Sequence, residues 1–200
     1  LRILLVGPFH PFDCYNALKL KKLTSIPLAI GTLVAFYISS VMAVTLSNFR
    51  YTTFDPSSYN SLYQLAQTVG LVLVWSLVNW AFCILQEGKG FFREVFTVSC
   101  YATLPLTLYN LLAAGLSHLM SSPDSMLLQL LHTVALIFAG IVLTIGLMIV
   151  HEFSLSKFLF TSFVSICGII LIVFIVFMFG MLLSEFAGFI VGLFFEVFYR

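Results

Sequence analysis

Between Asn79 and Pro105 the chain runs apolar to Leu85 and then turns through Gln86-Glu87-Gly88-Lys89-Gly90-Phe91-Phe92-Arg93-Glu94. It then runs apolar again, broken by Tyr101 and Pro105. The apolar runs on either side are each long enough to cross a bilayer, which takes about 20 residues. In hydrocarbon every backbone polar group must be satisfied within the segment, so a span is a helix or a strand of a closed barrel. Barrel strands alternate polar and apolar residues, and these runs do not. The stretch therefore predicts a helical hairpin in a membrane, its charged tip in water.

Composition extends that conclusion to the whole chain. Of 200 residues, 61% are hydrophobic and 8% charged, where soluble domains carry about 25% charge. With 22 Phe and a mean hydropathy of +1.11, the expected class is an all-α polytopic membrane protein in one domain, residues 1–200. A formal net charge of +1 gives no electrostatic reason for a nucleic-acid partner. The chain opens at Leu1 rather than Met, so further N-terminal sequence is expected. Arg2 precedes only four apolar residues before Gly7-Pro8, too few for a signal peptide. Cys14, Cys83, Cys100 and Cys167 form no CxxC pair, which argues against a disulfide framework or a zinc site. Cys14, beside a membrane-proximal helix, is a weak candidate for palmitoylation.

Five spans are predicted, over residues 24–47, 65–85, 95–118, 126–150 and 158–183. Residues 1–23 read as a cytoplasmic amphipathic segment with Asp13 as helix N-cap and Lys19, Lys21 and Lys22 beside the first span. Pro27 suits the first turn of that span. Arg50 to Tyr59 and Ser121-Ser122-Pro123-Asp124 read as connections at the other side. With the N-terminus inside, the inner segments carry Arg2, the three lysines, Lys89, Arg93 and Lys157, against Arg50 and Arg200 outside. That bias predicts a cytoplasmic N-terminus and an outer C-terminus. A helix from Lys157 reaches Glu185 after about 40 Å, so Glu185 is expected at the outer interface. Residues 185–200 then read as a separate amphipathic helix on the outer face. Gly180, Ser184, Gly188 and Gly192, four apart, make a stripe on which another helix could pack closely.

No nucleophile–base pair, HExxH or Walker loop is present, so no enzyme activity, catalytic residue, cofactor or metal is expected. Gly88-Lys89-Gly90 lacks the spacing of a phosphate loop and reads, with Glu87, as a flexible cytoplasmic turn. His118, His132 and Asp124 could be imagined as a small metal site; interhelical hydrogen bonding is the stronger reading. Asn79 and Asn110 are the deep polar side chains, expected to join helices at about 0.6–2 kcal/mol each. Pro105 removes a donor and crowds the carbonyl of Tyr101, predicting a kink stabilised by the Tyr101 ring or by Asn79.

His10-Pro11-Phe12-Asp13, Leu18-Lys19 and Lys22, Asn79-Trp80, Glu87-Gly88-Lys89-Gly90, and Tyr101 with Leu104-Pro105 together resemble the Yip1-domain family over nearly the whole chain. The resemblance implies five helical spans and a cytoplasmic N-terminus, and it supplies no catalytic residues. Eukaryotic relatives bind prenylated Rab GTPases in membrane traffic and carry a longer cytosolic tail with an Asp-Leu-Tyr-Gly-Pro type motif. This chain is more similar to bacterial-type members, some encoded near sugar ABC-transporter permeases.

Three functions follow as expectations. The first is a non-enzymatic accessory protein in a bacterial cell membrane, with lipids and other integral membrane proteins as partners, ABC-transporter permeases among them. The second is a small transporter or channel with Asn79, Asn110 and the Pro105 kink lining a polar path. A Rab-linked traffic factor is the eukaryotic alternative. The first predicts a bundle without a wet cavity at its centre and with nothing ionisable inside.

Overall fold

The computed structural model describes residues 25–47, 59–119 and 126–198. The amphipathic segment 1–23 with Asp13, Cys14 and its lysines, Arg50, Asp124 and Arg200 lie outside the described residues. The elements are α1 (Ile26–Thr45), α2 (Ser61–Leu85), α3 (Phe92–Ala102), α4 (Leu104–Leu119), α5 (Met126–His151) and α6 (Leu155–Phe198). With α3 and α4 counted as one span, five helical segments are long and apolar enough to cross a membrane. The described residues contain no strand.

Local sequence explains the ends. Pro27 sits in the first turn of α1, where no N–H is missed. Asn60 caps α2, its Oδ1 accepting from the N–H of Leu62 at 2.9 Å and of Tyr63 at 3.3 Å. The Glu94 carboxylate accepts the Phe91 N–H at 3.1 Å at the start of α3. Residues Ala66–Gly70 within α2 form a π turn. The third span is interrupted at Thr103 between α3 and α4, because Pro105 cannot donate to Tyr101 and displaces its carbonyl. Thr103 closes the break itself. Its N–H reaches the Cys100 carbonyl at 3.2 Å and its hydroxyl the same oxygen at 2.7 Å.

α3 is the centre. α1, α2 and α5 all pack on it, α1 and α5 also pack on α4, and α6 packs chiefly on α2. One core cluster joins Cys83, Val95, Val98, Tyr101, Val142 and Leu147; a smaller one joins Ala29, Leu33, Val72 and Cys100. The buried positions include many small hydroxyl residues. Thr32, Ser39, Ser40, Ser76, Ser99 and Ser165 are buried, and each donates 2.6–2.9 Å to a carbonyl three or four residues earlier. A hydroxyl satisfied by its own helix leaves no unpaired polar group at an interface and lets two backbones approach. Such packing suits a protein whose outer surface is apolar, since lipid supplies no hydrophobic drive between helices.

The C-terminal end departs from the sequence reading. Residues 185–198 are not a separate helix; α6 continues unbroken through Glu185 for 44 residues. Apolar residues on all sides of α6 leave no polar face to turn it along a surface. Buried α6 side chains occur only between Phe158 and Ser165, and from residue 170 onward every described side chain is exposed.

Candidate functional site

Two regions concentrate the polar chemistry. The first is the end of the bundle where the α2–α3 turn meets the α5–α6 connection. The last turn of α2 closes with the Glu87 N–H on the Ile84 carbonyl at 3.0 Å and the Gly88 N–H on the Cys83 carbonyl at 2.8 Å. α5 ends in the same way, the Phe153 N–H reaching Met148 at 3.1 Å. This closure needs one left-handed residue, usually glycine; here Glu87 (φ 63°) and Glu152 (φ 57°) take it. Gly88 and Gly90 serve another purpose. Neither has positive φ, but a Cβ on Gly88 would lie 2.6 Å from His151 Nδ1 and 2.7 Å from the Cys83 carbonyl. A Cβ on Gly90 would lie 2.4 Å from Val150 Cγ1. The expected flexible turn is thus a close fit over His151, which is buried at 1% exposure and stacks on Phe153.

Around that contact, Lys89 Nζ pairs with Glu152 Oε2 at 2.7 Å. The hydrogen bond, then the charge of Glu152, hold the Lys89 ammonium above its ordinary range. Lys157 lies 4.4 Å above the Phe153 ring. The Thr161 hydroxyl donates to Gln86 Oε1 at 2.6 Å, tying the turn to α6. One turn further in, Asn79 Nδ2 reaches Ser165 Oγ at 3.4 Å and its Oδ1 accepts from Cys83 Sγ at 3.5 Å. Asn79 therefore faces α6 and not the Pro105 break. Tyr101 belongs to the core cluster around Cys83 and Leu147.

The second region is an open-sided cavity of ≈680 Å³, its margin formed by exposed Gln67, Leu71, His132, Leu136 and Gly140, where the sequence reading expected no wet cavity at the centre. Phe36 and Ser40 of α1 line it, with Gln64, Thr68 and Trp75 of α2, Thr103 at the break, Asn110 of α4, and His132 and Leu143 of α5. Its wall is mainly apolar. Asn110 also donates to Ser39 Oγ at 3.3 Å, joining α4 to α1. Neither Asn79 nor Pro105 lines the cavity, so the three residues of the imagined polar path are not assembled. His118 Nε2 lies 2.6 Å from the Leu46 carbonyl, and the His132 ring lies 4.9 Å from that of Tyr109, tilted by 38°. Among the described residues no cluster of three or more His, Cys, Asp or Glu could hold a metal.

The stripe Gly180, Ser184, Gly188 and Gly192 is exposed, and a Cβ built on any of its glycines meets nothing within 4 Å. A different small-residue row does the packing: Thr161, Ser165 and Gly168. A Cβ on Gly168 would come within 2.3 Å of the Phe82 ring. Sequence reasoning missed this row, Gln86 and buried His151. The row's spacing of four and three inside an apolar run was the available signal.

The chain matches the Yip1 domain family model over residues 8–178. The chain belongs to the Yip1 domain family. Comparison with curated proteins and with solved structures returned no match. Membership agrees with the helical architecture: this Yip1-domain chain is an integral, multi-pass membrane protein.

Proposed function

We propose that this Yip1-domain protein is a non-enzymatic interaction subunit that presents the distal part of α6 to another integral membrane protein. The observation that carries the reading is the length and isolation of α6. Its 44 residues extend about 66 Å at about 1.5 Å per residue. A hydrocarbon core of about 30 Å, crossed at the steepest usual tilt of about 40°, takes up only about 26 residues. Counted from the charged end at Lys157, the remainder begins near Glu185 and includes exposed Phe186, Phe189, Ile190, Phe194 and Phe198. So large an apolar surface beyond the bilayer marks an interaction site. The glycine-bearing face of the same segment lets another helix approach closely. Orientation follows the charge bias, with the Lys89–Glu152 end in the cytoplasm and the C-terminus outside a bacterial cell membrane. ABC-transporter permeases are the first partners to test, on the strength of the family resemblance.

The test is a mild-detergent co-purification with Gly188→Leu and Gly192→Leu together. The double variant is expected to keep the monodisperse elution and thermal stability of the unaltered chain while losing its membrane partner. A partner retained at the original stoichiometry contradicts the proposal.

A further inference from the structure

We infer that the cavity beside α3 is a binding site for one uncharged amphiphile, with a hydroxyl-bearing head and a single apolar chain, as in a monoacylglycerol. None of the lining residues belongs to α6, so the inference stands apart from the partner-binding reading.

Backbone irregularity comes first. The π turn Ala66–Gly70 supplies Gln67 and Thr68 to the cavity wall, and the α3–α4 break supplies Thr103. At membrane depth, irregular backbone is tolerated where it is buried in protein or lines a cavity, and π turns gather at functional sites. Both irregularities face this one space. Its ≈680 Å³ falls within the range of about 300–1,000 Å³ common to small-molecule sites. α2 and α5 pack on α3 rather than chiefly on each other, which leaves the space between them.

Polarity is graded along the cavity. Counted from the end opposite the 86–90 turn at about 1.5 Å per residue, Gln64, His132 and Asn110 lie about 5–14 Å deep. By the same count Trp75 and Leu143 lie about 21–26 Å deep. The amides of Gln64 and Asn110 each offer donors and acceptors, which matches hydroxyl groups. Among the described residues no Asp, Glu, Lys or Arg lines the cavity, and beside those residues a charged head would lie without a counter-charge. The nearby Ser99 and Thr103 hydroxyls already donate to their own helices. The Trp75 Nε1 does not: it is buried and has no acceptor among the described residues. Trp75 and Leu143 line the deeper, apolar part of the cavity, where the chain would run.

This sequence has two tryptophans, so Trp80→Phe leaves Trp75 as its sole tryptophan, excited selectively at the red edge of the indole band. Reconstituted in nanodiscs, that protein would be titrated with three probes: a monoacylglycerol, a lysophosphatidylcholine and a fatty acid, each brominated on its chain. Saturable quenching by the monoacylglycerol is expected, with a midpoint at least tenfold below those of the charged probes. Gly140→Leu should raise that midpoint about tenfold, since Gly140 lines the cavity and a Cβ there meets nothing within 4 Å. Gly115→Leu, equally free of contacts but outside the lining, should leave it unchanged. Quenching that rises in proportion to probe content, or equal midpoints for all three probes, overturns the inference. The three-probe comparison needs no cavity variant, so misfolding of Gly140→Leu would not protect it.

Discussion

α6 carries two rows of small residues, and the bundle uses only one. Thr161, Ser165 and Gly168 face α2, where Thr161 holds Gln86, Ser165 meets Asn79, and Gly168 makes room for Phe82. Gly180, Ser184, Gly188 and Gly192 have the more regular spacing and touch no other element. The lesson is that small residues permit close approach without causing it. In the first row each polar or aromatic group has a complementary neighbour on α2. In the second the complement has to come from elsewhere, and an apolar helix longer than the membrane supplies the reason.

Substitutions can break that comparison, beginning where the surroundings can least yield. Gly88→Ala places a methyl against the Cys83 carbonyl and His151, and backbone there cannot yield. A loss of about 3 kcal/mol is expected in reversible unfolding in detergent, at the upper end for overpacking. The same exchange made twice on α6 is more informative. Gly168→Ala should cost about 1–3 kcal/mol through the Phe82 ring, whereas Gly180→Ala should be neutral or stabilising by up to about 1 kcal/mol through helix propensity. Equal effects at both positions would erase the distinction between the two rows. Asn79→Leu removes the link to Ser165 and should cost about 1 kcal/mol, read as a lower thermal midpoint.

The smallest effect belongs to Lys89 and Glu152. Because Glu152 raises the Lys89 pKa, the pair favours the folded state while the lysine is charged. Its contribution is fully present below the ordinary lysine pKa of about 10.4 and is lost as pH rises through the higher folded value. Lys89→Met should abolish that alkaline dependence while barely moving the midpoint at neutral pH, since both side chains are well exposed.

The sequence made the spans legible because uncharged runs between charged turns have few other solutions. Pro105 marked the break in the third span, where Thr103 bonds the Cys100 carbonyl, while Asn79 turns to Ser165 instead. Asn79 stood out as a deep polar residue. Its partner Ser165, 86 positions away, depends on which helices become neighbours, and local pattern does not encode that. Gly88 and Gly90 were visible as a turn, while their role in admitting His151 required the α5 terminus to be in place. The cavity was the least legible feature. Its wall is drawn from α1 to α5 and the α3–α4 break, each contributing one to three polar residues unremarkable alone. A protein that was only a packing surface would have no use for such a space, which is why the cavity is given a ligand of its own.

The central claim is that the near end of α6 belongs to this chain's bundle and its far end to another protein. A photo-crosslinking residue placed in turn at positions 165, 188 and 192 in native membranes tests it most directly. The account predicts an internal crosslink to α2 from position 165, without change in mass. From positions 188 and 192 it predicts one discrete heavier adduct, containing the same membrane protein in both cases. Crosslinks from 188 and 192 that return only lipid, or that fall back within the same chain, would contradict it.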